Sequence, residues 1–206
     1  LNNVNQAKID KIRSLHSLGS ETIKILLPGR LTGWKGHSML VQAIPKVIQS
    51  VQNKIEILFV GPDDNLHLKK RLKVEIEDLK MTNMFHFLGS IDDMTNIYAL
   101  SDIVISSSTD PEAFGRISVE AQSMGKFVIA SDHGGSKETI IHNKTGYLYS
   151  PNDFNELSKV LIKAINEKKY DLDKVSRLSE NNVRENFSLE KMCKETLSFY
   201  KEVLKI

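Results

Sequence analysis

Short apolar runs alternate with helical periodicities along most of this 206-residue chain. The runs at 23–27, 55–60, 84–88, 102–106, 127–131 and 145–149 are β-rich and mostly apolar, as in strands buried in a parallel sheet. Between them, Met39, Leu40, Ala43, Ile44, Val47, Ile48 and Val51 recur at helical spacing, as do Leu68, Leu72, Ile76 and Leu79, and then Ile97 with Leu100. Shorter helices fit 116–124, just ahead of Gly125, and 136–142. Ile9, Ile12, Leu15 and Leu18 mark another over 8–18, with Gly19 as its stop. Pro45 is expected to bend the helix that contains it. Strand–helix alternation of this kind predicts an α/β fold, a doubly wound six-stranded parallel sheet, because crossover helices must cover both faces of such strands.

From 153 onward the strands stop. Helical stretches are predicted at 153–168, 172–186 and 188–205, with no Gly or Pro after Pro151. The expected organisation is a linker with its helix over 1–20, a binding domain over 21–170 and C-terminal helices over 171–206. Leu189, Met192, Leu197, Tyr200, Val203 and Leu204 give the last helix more apolar surface than a terminal helix needs. That face is expected to be partly uncovered in this chain, simple core packing being the other reading.

Composition then removes classes of function. With 28 Lys+Arg against 26 Asp+Glu the formal charge is +2, so bulk electrostatics give no reason to expect nucleic acid or an acidic membrane as partner. The lone cysteine, Cys193, can form neither an internal disulfide nor a zinc site, and a cytoplasmic location is expected. Apolar runs such as Ile57-Leu58-Phe59-Val60 are far shorter than the ~20 residues of a spanning helix, so no transmembrane segment is expected. The chain opens at Leu1, in a polar stretch with no signal pattern, which suggests a piece of a longer protein.

In an open parallel sheet, ligands bind beyond the carboxyl ends of the strands. After the first run, Gly29-Arg30-Leu31-Thr32-Gly33-Trp34-Lys35-Gly36 sets two cations in a glycine-rich loop that leads to a helix. Arg offers a planar fork and Lys a compact charge, both suited to a diphosphate. The spacing is neither a Walker loop nor G-x-G-x-x-G, and taken alone the segment also fits a solvated turn. After the fourth run, Glu112 and Glu120 are separated by seven residues, around a turn at Phe114-Gly115. Glu112 then lies on the loop and Glu120 about one turn into the next helix, where it could accept hydrogen bonds from a ribose diol. Free amides at that helix start favour an anion such as a β-phosphate. Read alone, the two glutamates could equally be solvated charges. Gly134-Gly135-x-x-Glu138 opens a short helix that shapes a pocket wall or simply makes a turn.

Taken in order over about 23–165, these segments resemble the nucleotide-sugar-binding half of retaining GT-B glycosyltransferases of family 4, the glycosyl transferases group 1. The residues that carry the resemblance are Gly29-Arg30-Leu31 with Lys35-Gly36, then Glu112-x7-Glu120 with Phe114-Gly115, then Gly125. Gly134-Gly135-x-x-Glu138 and Thr145-Gly146-Tyr147-Leu148 complete the set. The resemblance implies a Rossmann-like half of a GT-B fold and a nucleotide-diphospho-sugar donor of UDP, GDP or ADP type. It implies that Arg30 and Lys35 hold the diphosphate, Glu120 the ribose and Glu112 the donor sugar, with Glu112, Arg30 and Lys35 as the catalytic group. Gly29, Leu88, Phe114, Gly115 and Arg116 join the donor-binding set, with base recognition expected from backbone around Phe87 to Ile91.

No cofactor beyond the donor is expected. Nor is a metal, since no Asp-x-Asp or His/Cys cluster is placed to hold one. Ala113, Arg116, Phe127 and Lys137 depart from the family's usual residues without removing a ligand group. The acceptor is expected to sit on an N-terminal half absent from this chain, which could also place the whole protein peripherally on a membrane. Without that half the chain is expected to be inactive. A nucleotide-sugar epimerase of the same fold, and a non-catalytic nucleotide-sugar-binding or partner-docking module, are the other readings.

Overall fold

A computed structural model describes residues 4–167 and 172–205. The chain begins with α1 (Gln6–Leu15), β1 (Ile23–Pro28), α2 (His37–Ser50), β2 (Ile55–Val60), α3 (Leu66–Asp78) and β3 (Phe85–Gly89). It continues with α4 (Met94–Leu100), β4 (Ile103–Ser106), α5 (Arg116–Ser123), β5 (Phe127–Ser131), α6 (Ser136–Thr139) and β6 (Gly146–Tyr149). The C-terminal helices are α7 (Phe154–Asn166), α8 (Leu172–Asn186) and α9 (Leu189–Leu204). The strands form one six-stranded sheet in the order β3-β2-β1-β4-β5-β6, and every pairing is parallel. This is the Rossmann-like, doubly wound arrangement, with its order reversing between β1 and β4.

Side-chain alternation explains why the sheet is covered twice. Ile25 and Leu27 of β1, Ile57 and Phe59 of β2, and Ile103 and Ile105 of β4 join a core completed by α2, α3 and α7. Leu26, Leu58, Val60 and Val104 point the other way, into a core shared with α1, α4 and α5. The central strands β1, β2, β4 and β5 are buried at every position, whereas most of edge strand β3 is only half-buried. Each fully buried Leu or Ile contributes roughly 1.5–3 kcal/mol by transfer from water, so the two cores anchor the strand ends that carry the loops.

Two local expectations shift. The first helix ends at Leu15 rather than 18, because Ser17 turns left-handed (φ 53°) and the Leu18 amide bonds back to the Arg13 carbonyl at 2.9 Å. The helix expected over 136–142 stops at Thr139: Ile140 is extended, and His142 forms a parallel bridge to Gly146 instead. The helix α2 is continuous through Pro45. The expected helix end at 168 and the domain boundary at 170/171 lie outside the described residues.

Helix α1 packs on α4 and α8 on α5, whereas α9 buries none of its residues. Its six apolar side chains named above remain 57–72% exposed, so the uncovered face expected from the sequence is present along the whole helix. Leu197→Glu is therefore expected to change the unfolding free energy of this chain by no more than about 0.5 kcal/mol. Chemical denaturation that shows a loss of several kcal/mol would mean that α9 packs on the body.

Candidate functional site

Where the strand order reverses, neighbouring loops diverge and leave a crevice beyond the strand ends. A cleft of about 680 Å³ occupies that place, lined by Gly29 and Lys35 after β1, Gly61 after β2, Ser90 to Asp92 after β3, and Glu112 to Ile117 with Glu120 after β4.

Lys35 is delivered to this cleft by a single 3-10 turn over Gly33–Lys35 that ends at Gly36. Gly36 has φ 76°, and a Cβ there would lie 1.9 Å from the Ser107 carbonyl oxygen, so only glycine lets the β1 loop rest on the β4 loop. The contact is locked by Ser107 Oγ donating to the Lys35 and Gly36 carbonyls, each at 3.2 Å, and by the Thr109 amide donating to the Trp34 carbonyl at 2.7 Å. Gly36→Ala is expected to destabilise the fold by about 2–4 kcal/mol, from backbone strain plus the clash, measurable by urea unfolding.

The result is an ion pair between Lys35 Nζ and Glu112 Oε1, both side chains about 15% exposed. The same Glu112 oxygen accepts a 2.6 Å hydrogen bond from Ser108 Oγ, and Lys35 Nζ lies 4.2 Å from the Trp34 ring centroid. The diphosphate cation and the sugar carboxylate expected from the sequence are thus in direct contact.

The Glu112 loop is held from behind by Gly134 and Gly135. The Gly135 amide donates to the Glu112 carbonyl at 2.8 Å. A Cβ on Gly134 would meet the Glu112 carbonyl oxygen at 2.4 Å, and one on Gly135 the Phe114 carbonyl oxygen at 2.3 Å. His133 adds a bond from Nε2 to the Ser108 carbonyl at 2.9 Å. The double glycine therefore shapes the pocket wall by close backbone approach, while Glu138 is exposed and does not line the cleft.

Glu120 stands one turn into α5, whose start, Gly115 to Ile117, lines the cleft, and a helix's first amides lack intrahelical carbonyl partners. Its Oε2 accepts from the Tyr98 hydroxyl at 2.9 Å and its Oε1 from Arg116 Nη2 at 3.1 Å. Tyr98 is buried, and burial together with the Glu120 charge raises its phenol well above the usual range, so it stays protonated as a donor.

Gly29, Lys35, Glu112, Phe114, Gly115, Arg116 and Glu120 thus converge on one cleft. Arg30 does not: it is exposed and absent from the lining. Leu88 packs partly against the second core, and the lining after β3 is Ser90, Ile91, Asp92 and Met94. Phe114 is half-exposed and meets Phe187, the residue after α8, edge-on at 5.8 Å. Tyr98 and Ser108 were not signalled by any motif, since each acts through a side-chain bond across the fold. Among the described residues, no three His, Cys, Asp or Glu are grouped to hold a metal ion, and no helix is long and apolar enough to cross a membrane.

His37, at the start of α2, is 2% exposed, and burial followed by the nearby Lys35 charge lowers its pKa to about 4. The unfolded chain binds this proton near pH 6.5 and the folded chain only near pH 4, so stability is full above 6.5 and falls with pH below it. Unfolding between these values is expected to take up nearly one extra proton. Comparing the pH dependence of urea unfolding with that of His37→Gln tests this, and equal slopes would contradict it.

The glycosyl transferases group 1 family model matches residues 8–184. A solved glycosyltransferase from Rickettsia africae superposes with a TM-score of 0.90 at 36% identity, over 99% of this chain and 54% of that one. Anabaena HepE, solved with UDP and glucose, gives a TM-score of 0.83 at 26% identity, over 95% and 53% of the two chains. A lipopolysaccharide 1,2-N-acetylglucosaminetransferase of Salmonella typhimurium is 30% identical over 74% of this chain and 42% of its own. The chain spans about half the length of the curated relatives it matches, 46%, 42% and 54% for three of them.

Proposed function

This chain belongs to the glycosyl transferases group 1 family, and from that premise we propose that it is the donor-binding half of a retaining family 4 enzyme using a nucleotide-diphospho-sugar. The observation that carries the reading is the convergence of Lys35, Glu112, the α5 amino end and Glu120 along one cleft at the switch point of the sheet. The half-length relation to its relatives supports an acceptor site on a further, N-terminal half. A UDP-type donor is favoured by the UDP and UDP-glucose complexes of HepE, with GDP and ADP types as the other members of the class.

In this mechanism the diphosphate lies against Lys35 and the first amides of α5, and Glu120 accepts hydrogen bonds from the ribose hydroxyls. Glu112 faces the sugar. As the acceptor hydroxyl oxygen bonds to the anomeric carbon, the bond to the diphosphate oxygen breaks, negative charge grows on the diphosphate, and the hydroxyl proton passes to that departing group. Fixed positive charge from Lys35 and the helix dipole stabilises that charge without reorganisation. Arg30, exposed beside Gly29, is the second cation we assign to the diphosphate.

Since these groups supply the countercharge, nucleoside diphosphate binding is expected to survive EDTA. Calorimetry in which binding appears only with Mg²⁺ would overturn the metal-independent site. Residues 1–206 are expected to bind the nucleotide yet transfer no sugar, and robust transfer to an acceptor by this chain alone would contradict the two-half reading.

A further inference from the structure

Glu120 lies on a short helix with its side chain 40% exposed, so its own torsions leave it free to swing into solvent. Two donors oppose this. Arg116 is itself 82% exposed, and an exposed (i, i+4) pair is a weak constraint. Tyr98 is different: its ring is buried in the second core on α4, and its hydroxyl donates to Glu120 Oε2 at 2.9 Å across two helices. Close packing around a buried ring restricts its rotamers, so its hydroxyl oxygen is held more firmly than an exposed guanidinium.

We propose that Tyr98 is a positioning residue for donor binding: its hydroxyl anchors one oxygen of Glu120, so that the other oxygen is aimed along the cleft at the ribose diol. Tyr98 also lines the cleft, which places this anchor beside the ligand. Arg116 is the movable partner. When the ribose arrives, its hydroxyls replace the guanidinium on Oε1, and the Tyr98 bond on Oε2 keeps the carboxylate from following Arg116 outward. Residue 98 thereby sets preference for a ribose with free hydroxyls. The inference rests on the assignment of Glu120 to the ribose.

The test is a calorimetric titration of the wild-type chain, Tyr98→Phe, Glu120→Ala and the double variant. Each is titrated with the tightest binder among UDP, GDP and ADP and with its 2′,3′-dideoxy counterpart. The wild type is expected to prefer the ribonucleotide by roughly tenfold or more, the scale of a hydrogen bond to a charged group. Tyr98→Phe should cut that preference several-fold while leaving the dideoxy affinity unchanged, a pattern that general loss of packing does not produce. In the Glu120→Ala background the Tyr98→Phe change should have no effect on either ligand.

Full ribose preference in a folded Tyr98→Phe overturns the positioning role alone. No ribose preference in the wild type overturns the Glu120 assignment and the inference with it. Should Tyr98→Phe fail to fold, the wild type and Glu120→Ala are instead compared for the Tyr98 hydroxyl proton signal in NMR spectra. Its loss or shift in Glu120→Ala supports the bond, and an unchanged signal overturns it.

Discussion

Lys35→Ala is expected to weaken binding of the bare nucleoside diphosphate by about 1.5–3 kcal/mol, a ten- to hundredfold rise in dissociation constant. Two losses combine. The cation proposed to face the diphosphate disappears, and Glu112, largely enclosed and bonded to Lys35, is left as an uncompensated negative charge in the cleft. Ser108 still donates to Glu112 at 2.6 Å, so the carboxylate stays in place and repels the ligand. Titration of Lys35→Ala with UDP, GDP and ADP measures the effect, and an unchanged affinity would remove Lys35 from the diphosphate site.

Glu112→Ala should act in the opposite sense on the same ligand. Freed of its partner, Lys35 is available to the diphosphate, so the bare nucleotide should bind at least as tightly as to the wild type. The extra affinity of the nucleotide-sugar should vanish. In a full-length enzyme containing this half, kcat should fall by about 10²–10³, the scale for losing an electrostatic group at the reacting centre. Glu120→Ala provides the contrast, weakening nucleotide and nucleotide-sugar alike. Equal losses of bare nucleotide affinity in Glu112→Ala and Glu120→Ala would show that the sugar and ribose roles are misassigned.

Much of the scaffold was legible because its strands are nearly continuous apolar runs, which only a doubly covered parallel sheet can bury. Helix ends were less so: the early stop of α1 depends on Ser17 adopting a left-handed conformation, and the end of α6 on His142 joining Gly146, neither of which a hydrophobic period encodes. Glu112-x7-Glu120 read alone fitted solvated charges as well as a site; it was singled out by the family resemblance, and both residues line the cleft. Contacts between distant segments were not legible. The Lys35–Glu112 pair spans 77 residues, and the Tyr98–Glu120 bond depends on how α4 and α5 lie on the sheet. Gly134 and Gly135 carried a signal without its meaning, which emerged only from the backbone of Glu112 and Phe114 packed against them. Arg30 matched its motif, yet its side chain lies outside the cleft lining.

The most direct test is a crystal structure of residues 1–206 with whichever of UDP, GDP or ADP most raises the melting temperature. The phosphates are expected against Lys35 and the first amides of α5, with the ribose hydroxyls on Glu120 and the Glu112 carboxylate turned toward the place of the sugar. A nucleotide bound elsewhere, for instance on the lysine-bearing groove of α3 beside Lys69 and Lys73, or in the cleft with its ribose on Glu112, would contradict the account.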